Sequence, residues 1–143
     1  MILLDSSALI GLLVVEPAAV EVESILLGGD AAIASANLAE SIDVLVRVFG
    51  NELGAVEAVV VPLLATSLPV VAIGEAEARK GAEIRISHYH RQTSPLSLAD
   101  CLLIGAASLL DAAVATTDGP VARAARSEGL EVLALRDPSG GRP

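Results

Sequence analysis

Short apolar runs separated by segments of helical periodicity restrict the fold of this chain more than any other feature. The runs lie at 1–5, 31–34, 69–73, 113–117 and 131–135. Each has the length of a buried strand, and the segments between them repeat apolar residues at helical spacing. Strands that alternate with helices favour a parallel sheet covered by helices on both faces. We therefore predict one α/β domain of three α/β/α layers, with four or five parallel strands.

Seven helices are expected between these strands. Ser6 and Ser7 are suitable N-cap residues for the first helix, and Pro17 suits the first position of the second. The predicted helices cover 6–15, 17–27, 35–50, 53–67, 75–91, 96–110 and 120–128. The sequence DPSGGRP at the end of the chain has no periodicity, so we predict a domain at 1–136 and a flexible C-terminal tail at 137–143.

The apolar content is high and almost entirely aliphatic. Hydrophobic residues make up 53% of the 143 residues, and Phe49 and Tyr89 are the only aromatic side chains. The surplus of apolar residues suggests that a partner covers part of the surface. The most apolar stretch, 59–74, contains two prolines and is shorter than the ~20 residues that a bilayer requires. We expect a cytoplasmic protein without a membrane span.

The charge and the cysteine count exclude several kinds of function. The net charge is −9, which opposes binding of nucleic acid through broad electrostatic attraction. The single cysteine, Cys101, excludes an intramolecular disulfide and most cysteine-based metal sites. The excess of acids indicates either an acidic surface or carboxylates gathered at a cation site, and their positions decide between the two.

Four carboxylates fall where a parallel sheet would bring them together. Asp5 ends the first strand, and Asp118 directly follows the fourth. Glu40 lies near the start of the helix after the second strand, and Asp100 lies in the first turn of the helix that begins near Ser97. Functional groups in open parallel sheets collect outside the carboxyl ends of the strands. All four side chains are therefore predicted to face one edge of the sheet.

Three of these acids also have simpler interpretations. Asp100 fits a capping box with Ser97, Glu40 is also typical of a solvated helix face, and Asp118 is also typical of a turn or an N-cap. Asp5 is the hardest to explain without a site, because a carboxylate beside a buried core needs a partner. No lysine or arginine lies near any of the four in sequence.

Crowded carboxylates need protons or a cation. Two carboxylates about 4 Å apart repel each other by ~4 kcal/mol at an effective dielectric constant of ~20. Oxygen ligands without a nearby cysteine or histidine favour a hard ion, Mg²⁺ or Mn²⁺ as its substitute. Such an ion keeps several waters, and one of them can become a nucleophile.

Four segments resemble the motifs of PIN-domain ribonucleases, and most closely those of VapC-type toxins of bacterial and archaeal toxin–antitoxin pairs. The segments are DSSAL at 5–9, NLAESIDVL at 37–45, LSLADCLLIGAA at 96–107 and ATTDGPVARAA at 115–125. Each segment is weak alone, but four in the right order and spacing are specific, and they span nearly the whole chain. The resemblance implies a single PIN-like domain with the parallel sheet that the periodicity predicts.

The resemblance also implies an activity and a site. The activity is Mg²⁺-dependent hydrolysis of RNA that leaves 5′-phosphate and 3′-hydroxyl ends. The implied catalytic and metal-binding residues are Asp5, Glu40, Asp100 and Asp118. Of these, Asp5 and Asp100 are the surest ligands, and Ser7 and Thr116 would orient carboxylates or water. Some PIN nucleases carry a further acid near the fourth motif, where this chain has Val121 and Ala122. That departure argues against a full second metal site, and one ion and two ions both stay open.

The expected partners are RNA, an antitoxin and a second copy of the chain. Four basic residues before the Asp100 helix are candidates for RNA contact, although a solvated basic helix face is an equally good interpretation. They are Arg79, Lys80, Arg85 and Arg91. The resemblance implies a homodimer and an antitoxin that blocks the active site. The helices at 6–15, 35–50 and 53–67 are candidates for an apolar groove that would hold an antitoxin helix.

Two other classes of function stay open. A receiver-like signalling domain also gathers acids at strand ends, but it needs a lysine near the last strand and an aspartate after the third. The only lysine is Lys80, and Gly74-Glu75 follow the third strand. The other class is a catalytically inactive PIN fold that binds RNA or protein. Transfer RNA, ribosomal RNA and mRNA are all open as targets, and a housekeeping nuclease would carry the same four acids.

Overall fold

The computed structural model describes all 143 residues and contains five strands and seven helices. Strands β1–β5 cover Ile2–Leu4, Ala31–Ala34, Val70–Val71, Ala113–Thr116 and Val132–Ala134. Helices α1–α7 cover Ser6–Leu13, Ala19–Leu27, Ser35–Arg47, Leu53–Thr66, Glu75–His88, Leu98–Leu110 and Gly119–Ser127. None of these helices combines the length and the apolar character needed to cross a bilayer. The predicted alternation of strands and helices is confirmed, and the sheet has five strands.

All five strands are parallel, and the first strand lies at the centre of the sheet. The strand order is β3-β2-β1-β4-β5, and Leu4 of β1 lies opposite Ile33 of β2 and Ala115 of β4. The chain leaves β1 toward β2 and leaves β4 toward β5, so the connections diverge on the two sides of the β1–β4 boundary. Open parallel sheets bind ligands at the carboxyl end of such a boundary.

Apolar side chains cover both faces of the sheet. Successive residues of a strand point to opposite faces, and the fully buried Leu3 and Leu4 belong to two different clusters. Leu3 lies in the cluster that includes Ile104 of α6, and Leu4 lies in the cluster that includes Leu9 of α1. The predicted three-layer α/β/α architecture is therefore confirmed.

Several helix ends differ from the predicted ones for local reasons. Asp5, rather than Ser6 or Ser7, is the N-cap of α1, because its carboxylate accepts a hydrogen bond from the Ser6 N–H at 2.7 Å. Pro17 lies in a turn, and α2 begins two residues later. α5 ends at His88 because the residues after it turn back through a pair of backbone hydrogen bonds.

The C-terminal segment contacts the second helix. The Arg142 guanidinium pairs with the Glu21 carboxylate and donates to the Ala134 carbonyl at the edge strand. The domain boundary at residue 136 and the flexibility of residues 137–143 stay predictions.

At one point, α5 and α6 pack so closely that no side chain fits between their backbones. A Cβ atom added to Gly105 would lie 2.8 Å from the backbone nitrogen of Gly81 and 3.1 Å from the Glu77 carbonyl oxygen. Because these neighbours are backbone atoms, they can move aside only if a whole helix moves. Gly105 therefore sets the distance between the two helices, and α6 is the helix that carries Asp100.

Substituting Gly105→Ala should lower the free energy of unfolding by about 1–3 kcal/mol, the usual cost of overpacking a core. Gly54→Ala is the matched control, because Gly54 lies in α4 with no atom within 4 Å of an added Cβ. That control should leave stability unchanged or raise it by up to ~1 kcal/mol, since alanine favours a helix. Urea denaturation of both variants measures the difference, and equal stabilities would contradict the close helix contact.

Candidate metal centre

Three carboxylates meet outside the carboxyl end of the central strand. Asp5 directly follows β1, Glu40 lies in the second turn of α3, and Asp100 lies in the first turn of α6. One carboxylate oxygen of each lies within 4.8 Å of those of the other two. The structure therefore brings together three of the four acids that the sequence places at one edge of the sheet.

Asp5 is almost completely buried, and hydrogen bonds hold both oxygens of its carboxylate. Oδ1 accepts from the Ser6 N–H, and Oδ2 accepts from the hydroxyls of Ser7 and Thr116, each at 2.7 Å. Thr116 ends β4, which pairs with β1, so the parallel pairing brings its hydroxyl to Asp5. Both residues predicted to orient a carboxylate thus contact Asp5 directly.

Asp100 is held by a capping box at the start of α6. The Asp100 N–H donates to Ser97 Oγ at 3.1 Å, and the Ser97 N–H donates to Asp100 Oδ2 at 2.6 Å. The box engages only one of the two carboxylate oxygens. The helix-start interpretation of this residue is therefore compatible with its place among the three carboxylates.

Asp118 lies outside the group of three. Its Oδ1 accepts from the Val121 N–H at 3.0 Å and caps α7, and its own N–H donates to Thr116 Oγ1 at 2.9 Å. The N-cap interpretation of Asp118 therefore describes its contacts. Its role as a metal ligand stays a prediction.

Two further residues, Ser6 and Asn37, belong to this network and are missing from the predicted site residues. Ser6 Oγ donates to Glu40 Oε2 at 2.5 Å. Asn37 Nδ2 donates to Ser6 Oγ at 3.2 Å and to Asp5 Oδ1 at 3.3 Å. Asn37 precedes Glu40 by three residues, which places the two side chains on one face of a helix. That spacing is the sequence signal that points to Asn37.

Residues 2–127 match the protein family described as the PIN domain. The chain belongs to the PIN domain family. The family resemblance inferred from the four sequence segments is therefore confirmed, and PIN domains are generally nucleases. Among curated proteins, none matches the sequence.

This PIN domain is similar to solved structures from several organisms. FitAcB from Neisseria gonorrhoeae is 23% identical, with a TM-score of 0.66 over 97% of this chain and 99% of that chain. DNA-bound VapBC from Salmonella typhimurium is 18% identical, with a TM-score of 0.66 over 92% and 96% of the two chains. A toxin–antitoxin complex from Klebsiella pneumoniae is 18% identical, with a TM-score of 0.57 over 82% and 87%. These likenesses show a common fold.

Burial and mutual repulsion raise the pKa values of two acids in this PIN domain. Burial raises the pKa of Asp5 above its ordinary value, hydrogen bonds from neighbouring hydroxyls oppose that rise, and the charge of Asp118 adds to it. Burial, together with the charges of Asp5 and Glu40, raises the pKa of Asp100 to about 7. No lysine or arginine forms an ion pair with these carboxylates. Protons or a cation must therefore relieve their repulsion.

The groups present fit a hard divalent cation. Mg²⁺ binds oxygen ligands at about 2.1 Å, so two ligands on opposite sides of the ion lie ~4.2 Å apart. Oxygens already within 4.8 Å of one another need only small shifts to reach that geometry. A further buried oxygen in the network, Asn37 Oδ1, has no hydrogen-bond partner. Asp5, Glu40 and Asp100 are the residues that could hold Mg²⁺ or Mn²⁺.

Arg85, one of the four basic residues predicted to contact RNA, is engaged inside the protein. Its Nη1 donates to the Leu96 carbonyl at 2.6 Å, and its guanidinium carbon lies 4.3 Å from the centroid of the Tyr89 ring. Arg85 therefore ties α5 to the segment that leads into α6, and it covers one face of the only tyrosine.

Two more of these basic residues form ion pairs, one within α5 and one with the residue that follows α7. Lys80 Nζ lies 3.3 Å from the Glu128 carboxylate, and Arg79 Nε lies 3.6 Å from the Glu75 carboxylate. Arg91 is exposed and has no such partner. These contacts favour the helix-face interpretation for Lys80 and Arg79, and the RNA contacts stay predictions.

Without divalent ions, the free energy of unfolding should fall as the pH rises from about 4 to about 7. In that range folded Asp100, with its pKa raised to about 7, keeps a proton that it loses in the unfolded chain, where its pKa is 3.8. The folded state then binds more protons than the unfolded state, so raising the pH destabilises it. The loss should amount to a few kcal/mol, since one pKa unit corresponds to ~1.4 kcal/mol.

Urea denaturation in EDTA at pH 5 and pH 8 measures this loss in the wild type and in Asp100→Asn. The variant has no carboxyl group to titrate at this position, so its stability should fall less between the two pH values. Asp111→Asn is the control, because Asp111 lies at the other end of α6 in a left-handed conformation that asparagine tolerates. An equal pH dependence in the wild type and Asp100→Asn would contradict the raised pKa.

Proposed function

We propose that this PIN domain is a Mg²⁺-dependent endoribonuclease that acts in the cytoplasm as the toxin of a toxin–antitoxin pair. The observation that carries the proposal is the meeting of three carboxylates at the β1–β4 boundary with no basic side chain to neutralise them. Burial, together with the charges of Asp5 and Glu40, raises the pKa of Asp100. Three unneutralised carboxylates of this kind suit a site in which a bound divalent cation balances their charge.

Asp5, Glu40 and Asp100 would hold the ion, with Mn²⁺ as a substitute for Mg²⁺. When bound, the ion would polarise a phosphoryl oxygen and lower the pKa of a bound water. Hydrolysis adds a water oxygen to phosphorus and breaks the bond from phosphorus to O3′, which leaves 5′-phosphate and 3′-hydroxyl ends. Asp118, next to Thr116, would act on this reaction through its charge or as a further ligand.

The chain itself fixes the orientation of the reacting groups. Ser7 and Thr116 hold one oxygen of Asp5, and the Ser97 N–H holds one oxygen of Asp100. These donors are neutral, so they orient the carboxylates without cancelling their charge. A site held in this way binds its ion with little reorganisation, and groups that orient ligands usually affect metal affinity or activity by about 10- to 100-fold.

RNA would reach the carboxylates with help from basic residues on one side of the domain. Arg91 is the exposed candidate without an intramolecular partner, and Arg79 could exchange its exposed carboxylate partner for phosphate. Exposed ion pairs contribute at most ~1 kcal/mol, so this exchange has a low cost for Arg79. Lys80 would have to leave Glu128, whose side chain is only 21% exposed. Arg85 is better suited to holding the loop before α6 than to binding RNA.

Purified protein should cut cellular RNA at discrete positions with Mg²⁺ and should not cut it in EDTA. Asp5→Asn and Asp100→Asn should each lower the cleavage rate at least ~100-fold, since each removes a charge that would hold the ion. Gel analysis of total RNA and mapping of the fragment ends measure the activity.

Asp111→Asn is the matched control for this experiment. The substitution removes the acid that follows the last residue of α6, ~16 Å from Asp100 along the helix axis. The variant should cleave RNA at the wild-type rate. Cleavage that survives EDTA or both site substitutions would contradict the proposed metal site. A protein that binds RNA and never cleaves it would support the inactive binding module instead.

An apolar groove between three helices supports the antitoxin part of the proposal. It has a volume of ≈ 350 Å³ and lies between the end of α1, the end of α3 and the first half of α4. Its lining includes Leu13, Leu45 and Phe49, and seven of its eight lining residues are hydrophobic. These are the three helices that the sequence marks as candidates for an antitoxin groove.

An amphipathic antitoxin helix would place its apolar face in this groove. The similar structure from Klebsiella pneumoniae is described as a toxin–antitoxin complex, which supports a protein partner for this chain. The net charge of −9 favours a basic partner segment.

We also propose that the protein forms a homodimer. Light scattering that gives the mass of one chain, 14.5 kDa, at every concentration would contradict the homodimer.

Val59→Asp should abolish capture of the antitoxin, because Val59 lines the groove and a buried aspartate there would have no partner. Val61→Asp is the matched control: Val61 lies two residues later in α4 with a similar exposure of 59% against 54%, but it does not line the groove. Tagged variants are purified from the native organism, and the captured protein is tested for inhibition of RNA cleavage. Equal capture by both variants would contradict the groove as the antitoxin site.

A further inference from the structure

Asn37 contacts one of the three carboxylates directly and a second one through Ser6. Its side chain is fully buried in α3. Nδ2 donates to Asp5 Oδ1 directly, and it reaches Glu40 through Ser6, whose hydroxyl donates to Glu40 Oε2. The Ser6 hydroxyl has one hydrogen. Two acceptors lie within reach of it, Glu40 Oε2 at 2.5 Å and the Asn37 carbonyl at 3.2 Å, and the shorter contact is the one to Glu40. Asn37 thus connects a carboxylate on β1 to a carboxylate on α3.

An amide suits this position better than any charged group. An ionised aspartate there would add a fourth negative charge and could not donate a hydrogen bond. A lysine would neutralise part of the charge that attracts the ion. The Asn37 amide supplies two donors with no net charge, so it can fix Asp5 and Ser6 while the carboxylates keep their full charge.

The same side chain also carries a free-energy cost, because one of its polar atoms has no hydrogen-bond partner. Both hydrogens of Nδ2 are used, but Oδ1 is buried without a partner. An unsatisfied buried acceptor costs about 1–3 kcal/mol, so Asn37 is a poor choice if its only task is to stabilise the fold. Its contacts gain importance only if the two carboxylates must be held in place.

We propose that Asn37 is a positioning residue of the candidate metal centre, holding Asp5 directly and Glu40 through Ser6 for the incoming cation. This inference rests on the proposed function, because it assumes that the carboxylates bind a cation. It predicts that Asn37 affects ion affinity more than it affects the stability of the ion-free fold.

Asn37→Leu tests this by keeping a side chain of similar shape while removing both donors and the unpaired acceptor. The affinity for Mn²⁺ alone, measured by calorimetry and by the EPR signal of bound Mn²⁺, should fall by about 10- to 100-fold. The melting temperature in EDTA should stay close to that of the wild type, since the variant loses two hydrogen bonds but also loses an orphaned acceptor.

Ser41→Ala is the matched control. Ser41 is fully buried on the same helix and donates to the Asn37 carbonyl at 2.7 Å, but it touches no carboxylate. Its loss should lower the melting temperature in EDTA and leave Mn²⁺ affinity unchanged. If Asn37 has a purely structural role, Asn37→Leu will also lower the melting temperature in EDTA and leave Mn²⁺ affinity unchanged. That result would overturn the inference.

Ser6→Ala gives a second test that does not depend on the folding of Asn37→Leu. Because Asn37 reaches Glu40 only through Ser6, Ser6→Ala should also weaken Mn²⁺ binding. The double variant, Ser6→Ala with Asn37→Leu, should lose less Mn²⁺ affinity than the sum of the two single losses. Unchanged Mn²⁺ affinity in Ser6→Ala would overturn the relay.

Asp100→Asn separates failure of this inference from failure of the proposed function. If the wild type binds Mn²⁺ and Asp100→Asn does not, the centre exists, and the Asn37 and Ser6 variants decide the role of Asn37. If the wild type and Asp100→Asn bind Mn²⁺ equally or not at all, the proposed metal site fails and the inference fails with it.

Discussion

Burial of the Asp5 carboxylate at the end of the central strand is the constraint on which the site depends. A charged group taken out of water needs hydrogen bonds or an opposite charge. Asp5 receives four hydrogen bonds, which come from α1, from β4 and from α3. These elements must therefore meet at one point, and the strand order with β1 between β2 and β4 is what brings them there.

The fold could be predicted from the sequence because its signals are local. The run at 31–34 coincides with β2, since Gly28-Gly29 precede it and a helical pattern follows it. The third strand is shorter than predicted: only Val70 and Val71 pair with β2 at the edge of the sheet. Helix ends were less predictable, because they depend on single hydrogen bonds such as the one from the Ser6 N–H to Asp5.

The candidate site was predictable to the extent that it follows from topology. Parallel strands place their carboxyl ends together, so Asp5, Glu40 and Asp100 could be grouped from the order of strands and helices alone. Ser6 and Asn37 could not, because their contacts depend on how α1 and α3 pack and on the rotamers of two small polar side chains. The capping bond of Asp118, by contrast, agrees with the N-cap interpretation that the sequence offered for this residue.

α3 joins two parts of the molecule that carry separate proposed roles. Asn37 and Glu40 lie in its first half, while Leu45 near its end lines the apolar groove. The helix is ~20 Å long. If it shifts as one body, a partner that displaces α3 from the groove would change the spacing of the carboxylates, and a cation that fixes Glu40 would change the fit of the groove. Thermodynamic linkage makes these two effects equal in free energy, so the two ligands must help or hinder each other to the same degree.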